Sequence, residues 1–146
     1  DAASVLADPL PADLQDPLFL SPDEGAIALA TTVRDAYGEG ETDFFEKDRD
    51  YDTGDIEISP SDAPVEGRDV VLVDDIIATG STMSESVSVL DDRNARRVFV
   101  TCVHPMLASN ALTKLNSAGV EAVYGTDTLE RAVSEVSAAP VVAEEL

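Results

Sequence analysis

Val70-Val71-Leu72-Val73-Asp74-Asp75-Ile76-Ile77-Ala78-Thr79-Gly80-Ser81-Thr82-Met83 is the stretch on which the fold turns. Val70, Val71, Leu72 and Val73 are apolar without a break, as in a strand covered on both faces of a parallel sheet. Asp74 and Asp75 stand where that strand is expected to end. Ala78, Thr79, Gly80, Ser81 and Thr82 follow as a loop rich in hydroxyls around one glycine. Met83, Val87 and Leu90 then recur at helical spacing, so a helix is expected to start here. A strand, a diacid, a hydroxyl loop and a helix start suit a phosphorylated sugar. The loop and the helix N-terminus offer unpaired N–H groups and a positive dipole end to a phosphate. The two carboxylates can accept hydrogen bonds from vicinal ribose hydroxyls, directly or through Mg²⁺. The stretch is not a Walker A loop, having no Gly-Lys-Ser/Thr, nor a Rossmann fingerprint, having no G-x-G-x-x-G. An ordinary strand–turn–helix would account for Asp75 and Ser81, but not for two acids plus three hydroxyl residues around a glycine.

The 146 residues, 44% of them hydrophobic, suit one globular domain with a real core. Charge is the extreme property: 30 acidic residues against 9 basic, a formal −21. Nucleic acid and anionic membrane are poor partners for such a chain, because both are bound through basic patches. The acids are spread between apolar segments rather than gathered in a tail, which reads as a halophilic, cytoplasmic protein. Molar salt shortens the Debye length to about 3 Å and screens the self-repulsion. Cys102, the single cysteine, excludes an intrachain disulfide. It lies in the apolar run Val98-Phe99-Val100-Thr101-Cys102-Val103 and is expected to be a buried, inert thiol. No signal peptide and no membrane-length apolar run is visible. A start at Asp1 rather than Met hints at a fragment.

Outward from the central strand, elements alternate. Residues 1–16 read as a short helical or irregular lead-in. Leu18, Phe19 and Leu20 read as a first strand, with Ser21-Pro22-Asp23-Glu24-Gly25-Ala26 as the loop at its exit. A helix should follow with Leu29, Val33, Ala36 and Tyr37 on one face, ending near Gly38. Residues 42–47 read as a second strand, 48–55 as an acidic loop, and Ile56-Glu57-Ile58 as a short half-exposed strand. The central helix should end near Asp92 or Arg93, with Asn94 as a left-handed cap. Residues 97–103 read as a strand with His104-Pro105 at its exit. Ser109 is a candidate cap for a helix carrying Ala111, Leu112 and Leu115, ending before Gly119. Residues 120–124 read as a strand, Gly125-Thr126-Asp127-Thr128 as its loop, and residues 136–142 as an edge strand broken by Pro140. Alternating strands and helices imply an α/β fold with a mainly parallel central sheet flanked by helices. In such a sheet, ligands sit beyond the carboxyl ends of the strands, where these loops converge.

The diacid followed by Thr-Gly-x-Thr resembles the signature shared by type I phosphoribosyltransferases and the ribose-phosphate pyrophosphokinases (PRPP synthetases). The resemblance runs from about Leu18 to Val142 and is closer to the pyrophosphokinases. Glu46-Lys47-Asp48-Arg49-Asp50, the His-Pro exit and the Thr-Asp-Thr loop carry that preference. The pattern looks archaeal, and it covers only the C-terminal half of such an enzyme, as a single phosphoribosyltransferase-like domain over residues 1–146. The resemblance implies a type I phosphoribosyltransferase-like fold and a cytoplasmic, Mg²⁺-dependent transferase of nucleotide biosynthesis. In its reaction the anomeric hydroxyl of ribose 5-phosphate attacks the β-phosphorus of ATP, giving PRPP and AMP. It also implies a homo-oligomer at full length and little or no activity in this half alone.

Residue by residue, the resemblance assigns ribose hydroxyls and Mg²⁺ to Asp74 and Asp75, and the 5-phosphate to Ala78, Thr79, Gly80, Ser81 and Thr82. Asp23, Glu24, Gly25 and Ala26 match the family's pyrophosphate loop, with Asp23 a weaker metal candidate. Ala26 stands where many members have a second glycine. Lys47 and Arg49 match a Lys-x-Arg pair at the start of a flexible catalytic loop and would stabilise the charge of the transferring group. On residues alone, that pair reads equally well as a solvated loop with local ion pairs to Glu46 and Asp48. His104, the single histidine, is left without a catalytic role. Gly125, Thr126, Asp127 and Thr128 are a candidate pocket wall. Two other functions fit the same motif: a stand-alone type I phosphoribosyltransferase consuming PRPP, for which no aromatic base-binding element is evident, and a non-catalytic regulatory subunit.

Overall fold

The computed structural model describes residues 6–49, 52–54, 56–60, 64–76, 81–104, 111–126 and 134–136. Its strands are β1 (Leu18–Ser21), β2 (Glu41–Arg49), β3 (Ile56–Pro60), β4 (Asp69–Ile76), β5 (Arg97–His104), β6 (Ala122–Thr126) and β7 (Ser134–Val136). Three helices lie between them: α1 (Ile27–Tyr37), α2 (Ser81–Asp92) and α3 (Ala111–Ala118). The strands form one seven-stranded sheet in the order β3-β2-β1-β4-β5-β6-β7. Every pairing is parallel except β2 with β3, which is an antiparallel hairpin. The expected α/β architecture with a mainly parallel sheet is therefore present.

Strand alternation sends side chains to two apolar layers, one on each face of the sheet. Phe19, Val71, Val73 and Phe99 meet Ala30 and Val33 of α1 and the lead-in residues Leu6, Leu10 and Leu14. Leu18, Leu20, Val70, Leu72, Val98, Val100 and Cys102 meet Met83, Val87 and Leu90 of α2 and Leu115 of α3. Leu6 is fully buried, so the lead-in is part of the core rather than an appendage, and its helical content is a 3₁₀ turn at residues 6–7. Helix α1 ends as its glycine dictates. Gly38 has φ 106° and its N–H donates to the Arg34 carbonyl at 2.9 Å. Asn94, at φ 66°, takes the expected left-handed position after α2.

Several boundaries differ from the sequence reading. β4 does not end at Val73 but runs through Asp74 and Asp75 to Ile76. Parallel pairing with β5 continues through that segment, with Asp74 opposite Cys102 and Ile76 opposite His104. β2 runs to Arg49, because antiparallel pairing to β3 extends it through Lys47, Asp48 and Arg49. These residues therefore stand on a hairpin strand, not in a loop. β6 starts at Ala122 and takes in Gly125 and Thr126. β7 is Ser134–Val136. Ser109, Asp127, Thr128 and Pro140 lie outside the described residues.

The amino-terminal edge of the sheet holds a polar knot. Asp69 is fully buried. Its carboxylate accepts from Arg96 Nη1 and Arg97 Nη2, both at 2.8 Å, and from the Gln15 N–H at 2.7 Å. Burial alone would raise the Asp69 pKa. The Arg97 hydrogen bond, the Gln15 N–H and the charges of Arg97 and Arg96 override it and hold the carboxyl below its ordinary value. Arg68, 4% exposed, ties Pro64, Asp16 and Glu41 together nearby. Asp69→Asn is expected to lower unfolding free energy by about 2–4 kcal/mol, since it breaks a buried charged network. A depressed folded pKa contributes stability above the unfolded carboxylate pKa and loses it as pH falls through the folded value. Denaturant titrations in molar KCl should therefore show the gap between wild type and variant narrowing below about pH 4. A gap that is constant with pH would contradict this account of Asp69.

Candidate functional site

The chain passes from β1 through α1 to β2 on one side, and later enters β4 on β1's other side. The connections thus diverge between the carboxyl ends of β1 and β4. This is the topological switch point at which an open α/β sheet forms its binding crevice. The loop after β1 and the diacid at the end of β4 border that crevice from its two sides.

After β1, Ser21 is fully buried and its Oγ donates to the Asp23 carbonyl at 2.6 Å. Asp23 caps a short 3₁₀ turn, Glu24–Ala26, by accepting the Ala26 N–H at 3.1 Å. A Cβ on Gly25 would lie 3.2 Å from Asp23 Oδ1, so the absence of a side chain there lets the carboxylate fold back over the turn. Ala26, at φ −100° and ψ 6°, adopts a conformation open to any L-residue, and its methyl group costs the turn nothing. The turn runs directly into α1.

At the end of β4, Asp74 is half-buried and Asp75 exposed. The Asp75 N–H donates to Asp74 Oδ1 at 2.7 Å. The Asp74 pKa is raised. Burial is the main cause, the Asp75 N–H opposes it, and the charges of Asp75 and Asp23 add to it. The Asp23 charge, from the loop after β1, is the smallest of these causes. Carboxylate oxygens with unsatisfied charge suit a hard divalent cation. Among the described residues, no group of three His, Cys, Asp or Glu side chains is gathered closely enough to hold a metal.

Of the hydroxyl loop, Ser81 and Thr82 form the first turn of α2, which is 12 residues long. Ala78, Thr79 and Gly80 lie outside the described residues. Lys47 and Arg49 are alternate residues of one strand, opposite Ile58 and Ile56, and so share a face of the hairpin backbone. β2 pairs with β1 only over residues 41–44. Beyond that point it pairs with β3 alone among the described residues, and its hairpin extends past the same carboxyl edge that carries Asp23, Asp74 and Asp75. His104 is the last residue of β5, at that edge too. The basic residues Arg68, Arg96 and Arg97 are tied to the opposite edge. Sequence reasoning had no means of separating the two groups, since both occur as short basic clusters. Ser21 is a positioning group that was also missed, for it reads as an ordinary turn serine. Among the described residues, no helix is long and apolar enough to cross a membrane.

Residues 2–133 match the phosphoribosyl transferase domain family. Over 146 residues the chain is 62% identical to a ribose-phosphate pyrophosphokinase of Halobacterium salinarum, covering all of this chain and 51% of that protein. It is 46% identical over 131 residues to a ribose-phosphate pyrophosphokinase of Methanothermobacter thermautotrophicus, covering 90% of this chain and 45% of the relative. The crystal structure of phosphoribosylpyrophosphate synthetase from Mycobacterium smegmatis matches with a TM-score of 0.81 at 27% identity, over 99% of this chain and 49% of that one. The chain spans about half the length of the curated relatives it matches.

Proposed function

The chain belongs to the phosphoribosyl transferase domain family, and from that premise we propose that it is the half of a ribose-phosphate pyrophosphokinase that holds ribose 5-phosphate and the transferred pyrophosphate. The observation that carries the reading is the crevice itself. At the switch point between β1 and β4, the Asp23 turn and the Asp74–Asp75 pair stand at the carboxyl ends of two adjacent parallel strands. In this reading Asp74 and Asp75 accept hydrogen bonds from the ribose hydroxyls, and the loop from Ala78 to Thr82 receives the 5-phosphate. The turn formed by Asp23, Glu24, Gly25 and Ala26 faces the diphosphate.

Asp74 and Asp75, with Asp23 as a weaker candidate, would hold Mg²⁺, which would supply charge neutralisation for the transferring diphosphate. Lys47 and Arg49 meet the charge that develops when the anomeric hydroxyl attacks the β-phosphorus of ATP. The two products are PRPP and AMP. The 146 residues act as one domain of a larger cytoplasmic, oligomeric enzyme, and the ATP side of the site belongs to the remaining length found in the relatives.

Calorimetry with ribose 5-phosphate tests the reading. Thr82→Val keeps the side-chain shape and removes a hydroxyl donor to a charged group, at a cost of about 1.5–3 kcal/mol. Affinity is expected to fall at least tenfold. Unchanged affinity in that variant would remove the phosphate from this loop. Incubation with PRPP and a panel of bases separates the reading from that of a stand-alone phosphoribosyltransferase, which alone predicts base-dependent pyrophosphate release.

A further inference from the structure

We infer that Cys102 is a positioning residue for the diacid, an inference that rests on reading the carboxyl edge of β1 and β4 as the sugar-phosphate site. β4 has a neighbour on each side only over its first part. Its pairing with β1 places Leu18 opposite Val70, Phe19 opposite Val71 and Leu20 opposite Leu72, and stops there. Among the described residues, the register from Val73 to Ile76 continues with β5 alone. Among those residues, Asp74 and Asp75 therefore stand on a strand end supported from one side, the kind of segment that opens locally before the rest of a sheet.

Two side chains of β5 reinforce the ladder at the β4 carbonyls. Thr101 Oγ1 donates to the Leu72 carbonyl at 3.2 Å, and Cys102 Sγ donates to the Asp75 carbonyl at 3.2 Å. Both residues are fully buried, and as neighbours on a strand they reach β4 from opposite faces of the sheet. The Thr101 bond falls at Leu72, where β1 still pairs with β4. The Cys102 bond falls three residues later, beyond the end of that support.

Asp75 is the residue on which both carboxylates depend. Its N–H fixes Asp74 Oδ1 at 2.7 Å, and its carbonyl is held by the thiol. Cys102 packs in the apolar layer with α2 and α3, which fixes the sulfur under the site. The sole thiol of the chain thus acts through the Asp75 peptide rather than by its own reactivity. A thiol is a weak donor, so the effect is modest.

The test compares Cys102→Ala, which removes the donor, with Cys102→Ser, which keeps one, and with Thr101→Val, which removes the equivalent bond at Leu72. All are measured in molar KCl with MgCl₂. Hydrogen exchange at residues 74–76 should rise about threefold in Cys102→Ala, with exchange at residues 70–72 unchanged. Ribose 5-phosphate affinity should fall by about the same factor. Cys102→Ser should restore both, and Thr101→Val should leave both at wild-type levels. Wild-type exchange at residues 74–76 in Cys102→Ala, or a loss of affinity shared equally by Thr101→Val, overturns the inference. A wild-type chain that binds no ribose 5-phosphate overturns the sugar-phosphate reading instead, while the exchange data still decide whether the thiol holds Asp75.

Discussion

Lys47→Ala, in a polypeptide of the full length of the curated relatives, is expected to lower kcat by about two orders of magnitude and leave ribose 5-phosphate affinity near wild type. The expectation follows from where the cation stands. Lys47 and Arg49 share a face of the β2–β3 hairpin backbone, which rises from the carboxyl edge of the sheet beside a crevice edged by Asp23, Asp74 and Asp75. In the proposed function, a cation on this hairpin contributes little to holding ribose 5-phosphate in the ground state. It gains most when a diphosphate in transfer spreads further negative charge toward it. Removing a group of that kind lowers kcat and kcat/KM together. Steady-state kinetics with ribose 5-phosphate and Mg-ATP, alongside equilibrium binding of ribose 5-phosphate, separates the two effects. A normal kcat returns the pair to solvated surface charge, and a loss confined to ribose 5-phosphate binding makes it a sugar-phosphate contact. Arg49→Ala should behave in the same way, because the strand gives both residues one face.

Native circular dichroism is expected to be lost in dilute buffer and recovered in molar KCl. With 30 acidic residues against 9 basic, the folded chain concentrates a formal −21 onto a small surface. Self-repulsion of exposed carboxylates destabilises the compact state and is screened once the Debye length falls to about 3 Å. The basic residues do little to offset it. Arg68, Arg96 and Arg97 are spent on fastening Asp69, Glu41 and the lead-in at the amino-terminal edge. Asp69 is fully buried, so its ion pairs are screened far less by salt than the surface repulsion is. Adding KCl therefore removes the destabilising part of the electrostatics and spares the stabilising part. The thermal midpoint should climb steadily with KCl concentration, and a midpoint independent of KCl would refute this account.

The order of elements was legible because its determinants are local. Four consecutive apolar residues at positions 70–73 suit a strand with cover on both faces, and both apolar layers form around them. Met83, Val87 and Leu90 all reach the core because helical spacing leaves them no other common face. Gly38 and Asn94 end their helices because they tolerate the left-handed region. The diacid was recognisable for the same reason, since two adjacent acids before a hydroxyl-rich helix start are a statement about neighbours in sequence.

Pairing was not legible. Val73 looked like the end of a strand because Asp74 and Asp75 are poor strand formers, but β5 continues alongside and gives their backbone a ladder. Asp48 and Arg49 read as the start of a loop, and only the pairing of β3 onto β2 makes them strand. Residues 6–16 read as a lead-in because nothing in their own sequence shows that Leu6, Leu10 and Leu14 would meet Phe19 and Val71.

The sequence by itself determined that this is an α/β domain with a diacid ahead of a hydroxyl-rich helix start and an extreme acidic balance. Propensity, periodicity and net charge are properties of short windows or of the whole composition, and need no knowledge of contacts. Only the tertiary structure decided that the Asp23 turn stands at the strand end beside the one that carries Asp74, that buried Asp69 holds both Arg96 and Arg97, and that the Cys102 thiol reaches the Asp75 carbonyl. Each of these joins residues more than 25 positions apart. Such contacts exist only after the sheet has chosen its strand order, because burial, dielectric and hydrogen-bond reach are set by neighbours in space.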